Sequence, residues 1–452
     1  VASAENTKVE IPRVLDGKPV ELEGFSSDMF PNVTHIKIAD GDKSKKVKLR
    51  TESLYGDYGF FRNEQIEYLD LRGLDVSKVT NFYYTFGGCS NLQYANFGGW
   101  NFADGANLSN LISNNHNLHT LDLSEWNLVN ANTTDLITND TGLRNLILKD
   151  MNKSTFADLV NEAKGTEFQE LTIDSTGLDL TNVTSLENMF NGASGVVEIK
   201  GLDKWDVSSV TNMASLFKNA SNLTNLEDIE DWNTSSLTNA QEMFSGVSSL
   251  ESLDLTNWNM ENVTELSWMF LNCSSLTELK GTENWTLSKV TRMRNVFEGT
   301  KLNVIDLSSA SLPNVSKLSD FNMSEMFKVN DGSEDERKLL VITNDERLKG
   351  YNFSGNNRLP ATITLNTKSG LLDGEAIKTI ERYTVTPSEF EDAEQTIKSQ
   401  IEALGEPTKE GYNFLGWYDE NDVQITRETE VKKIENTEIT AKWGAEENTA
   451  YE

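Results

Sequence analysis

One unit of about 27 residues, repeated through most of the chain, limits what this sequence can fold into more than any other feature. Residues 249–274, SLESLDLTNWNMENVTELSWMFLNCS, form a clean copy, and the stretches before and after it carry the same landmarks. Trp205, Trp232, Trp258 and Trp285 follow one another in steps of 27, 26 and 27, and Phe190, Phe217, Phe244, Phe270 and Phe297 in steps of 27, 27, 26 and 27. Within a copy, Leu250, Leu253 and Leu255 read L-x-x-L-x-L, which puts Leu253 and Leu255 on one face of a short strand and Asp254 on the other. Val263, Leu266, Met269 and Phe270 then recur at i, i+3, i+6 and i+7, the apolar stripe of a short helix, with Asn262 or Thr264 to cap it.

A strand of about six residues and a helix of about two turns cannot bury a core alone, so each unit must lend its apolar face to its neighbours and the units must stack. The period lies in the leucine-rich-repeat range. The fold class expected is therefore an α/β leucine-rich-repeat solenoid of short parallel strands and short helices. In the longer units, as at Ile199-Lys200-Gly201-Leu202 and Leu226-Glu227-Asp228-Ile229, the extra residue predicts a bulge or an early strand end.

Three regions follow from the rhythm. Residues 1–65 hold short apolar runs broken by Asp16-Gly17 and Asp40-Gly41, hairpin signals that suit a β-rich N-terminal cap on the first open coil. Residues 66–368 are the array with its terminal capping strands, including KLLVITND and PATITLNT. Its register loosens over residues 143–168, where DMNKSTFADLVNEAKG predicts a longer helix. Residues 376–446 change grammar: a strand at YTVTP, an amphipathic helix from Ser388 to Leu404 stopped by Gly405-Glu406-Pro407, then strands around Phe414, Trp417, Val431 and Trp443. These make a small β-grasp-like α+β domain.

The formal net charge of −31 argues against nucleic-acid binding and against anionic membranes, both of which reward Lys and Arg clusters. No apolar run approaches the roughly 18 residues of a membrane-spanning helix, so no membrane insertion is expected. The opening VASAENTKVE reads as the remainder after cleavage or trimming. Cys89 and Cys273 occupy the same repeat slot about seven coils apart, roughly 34 Å at about 4.8 Å per coil, too far for a disulfide and suited to two small buried thiols.

The motifs VTNMASLF, VTELSWMF and VTRMRNVF, each a few residues past a tryptophan, closely resemble the BspA-like leucine-rich-repeat surface proteins of bacteria, whose unit reads roughly W-D-V-S-x-V-T-x-M-x-x-M-F-x-x-C-x-x-L. WDVSSVTNMASLFKNASNL, residues 205–223, matches it almost throughout. Gly411, Phe414, Gly416, Trp417 and Trp443 in GYNFLGWYDENDVQIT and ITAKW are similar to the Listeria/Bacteroides, or internalin B-type, repeat. The pair implies an extracellular, cell-wall-associated protein of a Gram-positive bacterium, attached through an anchor outside this sequence. It also implies a non-enzymatic adhesin or recognition protein whose solenoid binds a protein or glycan of a host or neighbouring cell. The competing readings are a spacer projecting other domains from the wall and a wall-associated enzyme.

Catalytic chemistry is sparse. His35, His116 and His119 are the three histidines, and no H-E-x-x-H, G-x-S-x-G, phosphate-loop or G-x-G-x-x-G motif accompanies them. Asp331, Glu334 and Asp335 do not match a calcium-loop spacing. No catalytic residue, metal or cofactor is expected. The surface left for a partner is the outward face of the stacked strands: Asp70, Asp122, Asp254 and Asp306 share one slot as a broken negative stripe, while Tyr68 and Tyr94 share another and should be neighbours on successive coils.

Overall fold

A computed structural model of the chain describes residues 7–23, 32–38, 46–54, 65–164, 168–302, 304–311, 340–343, 361–368, 370–372, 377–382, 384–385, 406–418, 422–424 and 437–445. The chain divides into two compact units, Val1–Glu251 and Ser252–Glu452.

In the first unit the strands are β1 (Lys8–Ile11), β2 (Val14–Leu15), β3 (Lys18–Pro19), β4 (Glu21–Leu22), β5 (His35–Ile38), β6 (Val47–Leu49), β7 (Tyr68–Asp70), β8 (Leu74–Asp75), β9 (Tyr94–Asn96), β10 (Thr120–Asp122), β11 (Asn145–Ile147), β12 (Leu171–Asp174) and β13 (Val196–Lys200). Eight of them form one parallel sheet in the order β1-β5-β7-β9-β10-β11-β12-β13, one strand per coil. Parallel pairing needs a full return of the chain between strands, and each repeat unit supplies one. The N-terminal segment extends the same sheet, because β1 and β5 pair in parallel with each other and β5 with β7. Asp16-Gly17 makes the expected hairpin, with both residues at positive φ between the antiparallel β2 and β3.

Alternation drives the core. Ile36, Leu69, Ala95, Leu121, Leu146 and Ile173, the central residues of successive strands, are buried, and Leu71, Phe97, Leu123 and Leu148 follow them inward. Tryptophans stack from coil to coil, Trp100 on Trp126 with centroids 6.5 Å apart and Trp205 on Trp232 at 5.8 Å. Each indole N–H would be a buried orphan unless it found an acceptor. Trp100 donates to the Leu71 carbonyl, Trp126 to that of Phe97 and Trp232 to that of Leu202, all at 2.9 Å, so the ring that fills one coil also ties it to the one before. Phe190, Phe217 and Phe244 form a second ladder at 5.7 Å spacing, each burying a side chain that contributes roughly 2–3 kcal/mol.

The return segments differ from the helices expected. Among the described residues the α-helix is α1 (Lys153–Glu162), in the irregular coil where a longer helix is predicted, capped by Asn152 accepting from the Thr155 N–H. Elsewhere the apolar i, i+3, i+7 spacing belongs to paired turns. In the coil of residues 211–220, alternate amides of Met213, Ser215, Phe217 and Asn219 donate to Asn239, Gln241, Met243 and Ser245 of the next coil, at 2.7–2.9 Å. Leu216 and Lys218 close three-residue-back turns onto Met213 and Ser215. An α-helix would keep every amide inside its own segment. Here half of them leave it, and Ser215 and Asn219 take φ of 55° and 57° so that the chain turns back each time. The same pair of left-handed positions recurs at Asn110 and Asn114, Asn188 and Gly192, and Glu242 and Gly246.

In the longer coil of β13 the extra residue falls just past the strand, at the place where the sequence predicts a bulge or a strand end: β13 stops at Lys200, level with Asp174 of β12, Gly201 takes φ 85°, and Leu202–Lys204 makes a 3-10 turn. Cys89 is a buried free thiol, its pKa pushed up to about 12 by burial and then by the nearby Asp140 carboxylate.

The second unit holds β14 (Ser252–Asp254), β15 (Glu278–Lys280), β16 (Val304–Leu307), β17 (Leu340–Thr343), β18 (Ala361–Asn366), β19 (Ile377–Arg382), β20 (Thr384–Val385), β21 (Tyr412–Tyr418) and β22 (Thr437–Ala445). β14 pairs with β15, and β17 sits between β16 and β20, all in parallel. Its coils repeat the same turn arms, with Leu266, Trp268, Phe270 and Asn272 donating to the next coil. Cys273 is also free and buried. β18, expected to close the array, instead joins a four-stranded mixed sheet of order β19-β18-β22-β21. Phe414 there packs edge-on against Trp417 and Trp443, and the Trp443 indole donates to the Thr367 carbonyl at 2.8 Å. The amphipathic helix expected between Ser388 and Leu404, the strand around Val431, the Asp40-Gly41 turn and the acidic loop at Asp331 lie outside the described residues.

Candidate functional site

The outward face of the first unit's sheet consists of two rows of side chains flanking the buried central residue of each strand. One row reads His35, Tyr68, Tyr94, Thr120, Asn145 and Thr172, in register across β5, β7, β9, β10, β11 and β12. Tyr68 and Tyr94 lie on adjoining strands as expected, their rings stacked with centroids 4.6 Å apart and planes 7° from parallel. His35 stacks on the other side of Tyr68 at 5.6 Å and 21°, its Nδ1 2.8 Å from the Thr34 hydroxyl. Both faces of the Tyr68 ring are thus covered and solvent meets ring edges. Burial, followed by the neighbouring Asp70 carboxylate and Tyr94, pushes the Tyr68 hydroxyl above its ordinary pKa, so it stays a neutral donor through the physiological range. Tyr94 is held in turn by Asn96, whose amide donates to the Tyr94 hydroxyl at 3.2 Å and to Asp122 at 2.9 Å.

The second row carries the expected acidic stripe, and its carboxylates are engaged in structure. Asp70 has a side chain only 2% exposed and is gripped by the Arg72 fork, Nε to Oδ1 at 2.9 Å and Nη2 to Oδ2 at 2.8 Å. In Asp122, Asp254 and Asp306, Oδ1 accepts the backbone N–H two residues on, from Ser124, Thr256 and Ser308 at 2.9, 2.9 and 2.7 Å. Such a bond turns the chain sharply at the strand end. Asp174, in the same slot, accepts from Thr176 and pairs with Lys149 at 2.9 Å; burial opposes its ionisation, but these partners outweigh it and hold the carboxyl below its ordinary value. Asp254 lies under its ordinary range chiefly through the Thr256 hydroxyl, with Lys280 adding to it. Asp254 and Asp306 belong to the second unit, Asp254 facing Lys280 in register. Each of these carboxylates serves a strand-end turn within its own unit, and Asp70, Asp174 and Asp254 are also paired to cations.

Sequence reasoning missed His35, because it lies further before Tyr68 than the repeat period and so falls out of step with the tyrosine slot. The available signal was local: His35-Ile36-Lys37 has the polar-apolar-polar order of Tyr68-Leu69-Asp70. His119, exposed beside Thr120, and His116 are placed apart from this ladder in the coil of β10. Among the described residues no group of three or more His, Cys, Asp or Glu side chains is placed to hold a metal ion.

The family model described as "Mycoplasma protein of unknown function, DUF285" matches residues 57–170, 154–279, 184–310 and 265–336, more than half of the chain. The chain belongs to the DUF285 family. Its DUF285 repeats are of the BspA-like type inferred from the W-D-V-S and V-T-x-M motifs, and the Listeria-Bacteroides repeat domain follows them at residues 384–442. No curated protein matches the sequence. Solved structures with some likeness include an internalin (inlF) from Listeria monocytogenes, 13% identical, covering 78% of each chain at a TM-score of 0.26. A leucine-rich repeat protein from Bacteroides ovatus is 15% identical, over 76% of this chain and 89% of that one, at 0.27. The functional domain of InlJ from Listeria monocytogenes is 13% identical, over 96% and 90%, at 0.20. Likenesses at this level say nothing of what the DUF285 array binds. No helix among the described residues is long and apolar enough to cross a membrane.

Proposed function

We propose that this chain is a non-enzymatic recognition protein of the bacterial cell surface, and that it binds a protein partner through the outward face of the sheet in residues 1–251. The observation that carries this reading is the stack of His35, Tyr68 and Tyr94 rings, face to face on three adjoining strands. Rings fixed by the backbone register lose little conformational freedom on binding, and tyrosine is prominent among the residues that dominate protein interfaces. A sugar ring would need an exposed aromatic face to lie on, whereas the Tyr68 faces are occupied by His35 and Tyr94. Edges, a phenolic hydroxyl and an imidazole suit the mixed polar and apolar chemistry of a protein surface better than a glycan. In this reading residues 1–65 act as the cap that also extends the binding sheet, and the Listeria-Bacteroides repeat is a connecting module toward the wall.

The test is to probe arrays of extracellular proteins and of glycans with the intact chain and with Tyr68→Ala and Tyr94→Ala, after circular dichroism has established that both variants are folded. The expectation is a saturable protein partner whose affinity falls about 30-fold in each variant, as for an interface anchor worth about 2 kcal/mol. Unchanged binding by folded variants would reject this surface, and glycans as the sole ligands would reject the partner class.

A further inference from the structure

β1 is the outermost strand of the eight-stranded sheet, and among the described residues β5 is the strand it pairs with. A backbone edge of this kind is a template for one more strand. The His35 amide donates to the Thr7 carbonyl at 3.2 Å, so the peptide groups of Thr7, Val9 and Ile11 are turned toward β5. Those of Lys8 and Glu10 alternate with them and are turned away from the sheet. The next residue in that series is Pro12, which has no N–H to offer, so the open edge is confined to Lys8 and Glu10. Side chains alternate as well. Lys8 and Glu10 are exposed on the outward face, whereas Val9 and Ile11 are half-buried on the inward one, although Ile36 and Ile38 of β5 are fully buried. On the adjoining hairpin Val14 and Leu15 are 42% and 62% exposed, so apolar area accompanies the edge.

This edge is complementary to itself. A two-fold axis through Val9, perpendicular to the sheet, lays a second copy of β1 antiparallel to the first, with Lys8 opposite Glu10 of the second copy and Glu10 opposite Lys8. Both are pairs whose peptide groups face each other, so each exchanges both of its N–H···O bonds. Each also sets an ammonium beside a carboxylate on the same face. Glu10 already lies 3.8 Å from Lys37 of its own sheet, with both side chains well exposed, so its carboxylate would sit between two lysines. Neighbouring registers are poorer: an axis through Lys8 opposes two lysines, and one through Glu10 opposes two glutamates and sets Lys8 against Pro12. We propose that the edge of β1 docks the same edge of a second copy of this chain, in the register centred on Val9. Such an isologous contact closes at the dimer and joins two recognition sheets into one. Both tyrosine ladders then lie on the same face, with Tyr68 five strand spacings from its counterpart, about 24 Å.

Sedimentation velocity of the intact chain over a range of concentrations tests this, the expected result being a reversible equilibrium between monomer and dimer. Lys8→Glu and Glu10→Lys each set like charges against each other in both pairs, and each should weaken dimerisation about tenfold. Mixed in equal amounts, the two variants again present opposite charges across the axis, and they should form a heterodimer about as tightly as the wild type pairs with itself. A misfolded variant would gain nothing on mixing. A chain that stays monomeric throughout, a dimer indifferent to both substitutions, or a mixture that associates no better than its components overturns the proposal. Growth past the dimer would show a head-to-tail contact instead and would overturn it too. The readout is mass alone, without ligand, so either result leaves the tyrosine-ladder reading to its own test.

Discussion

Gly195 offers a direct measure of how closely the coils stack. A Cβ added there would fall on the Phe168 carbonyl oxygen and within 2.8 Å of the Phe168 Cβ and 2.9 Å of its carbonyl carbon, distances that real side chains do not adopt. Gly195 itself has no positive φ, so Gly195→Ala tests the clash between coils alone. Relief requires the two coils to separate by several tenths of an ångström at the start of β12 and β13. That movement weakens the Leu171 N–H to Gly195 carbonyl bond, 2.9 Å long, and the Leu171–Val196 register. One lost hydrogen bond at about 1 kcal/mol and overpacking at about 1–3 kcal/mol give roughly 3 kcal/mol in all. Gly192→Ala, in the turn just before, is the control: its φ is 82° but nothing lies within 4 Å of the added Cβ, so only the left-handed penalty of about 1 kcal/mol applies. Hydrogen exchange of the β12 and β13 amides should therefore be about 30-fold faster in Gly195→Ala than in Gly192→Ala, the factor for a difference of about 2 kcal/mol. Equal protection in the two variants would refute the close backbone approach.

Two further outcomes follow from the turns. Ser215→Gly should leave urea stability unchanged or raise it, because φ is 55° there; a helical return would instead lose about 1 kcal/mol, so the sign of the midpoint shift separates the two. Asp254 has a folded pKa below its unfolded value, so its contribution is present above about pH 4 and is lost as pH falls through the folded value. Asp254→Asn keeps an oxygen for the Thr256 N–H but does not titrate, and its melting temperature should fall less than that of the wild type between pH 6 and pH 3; parallel losses would remove Asp254 from the acid response.

The repeat, the parallel strands, the tryptophan stack and the pairing of Tyr68 with Tyr94 were legible because each depends on residue type at a fixed period. The returns were misread for a physical reason. A stripe at i, i+3 and i+7 fits a helix, and the same spacing is met by two successive turns whose left-handed positions hold Ser215 and Asn219 rather than glycine. What distinguishes them is the bond from Phe217 to Met243 in the next coil, and a single unit carries no trace of it. The acidic stripe carried a signal that went unread: Asp122-Leu123-Ser124, Asp254-Leu255-Thr256 and Asp306-Leu307-Ser308 share an Asp-x-Ser/Thr pattern suited to a strand-end turn. Asp174-Ser175-Thr176 carries the same pattern 52 residues after Asp122, in step with the other three.

In-register stacking of successive coils, which alone brings His35, Tyr68 and Tyr94 into one rigid ladder, is tested most directly by cross-linking. Adjoining parallel strands place opposed residues at about 4.8 Å, within reach of a disulfide, whereas a two-residue offset exceeds the limit of about 7 Å. Tyr68→Cys combined with Tyr94→Cys should form an intramolecular disulfide under mild oxidation, read by mass spectrometry of the peptide pair, while Tyr68→Cys with Asn96→Cys should remain reduced. A bridge in the second pair and none in the first would contradict the register.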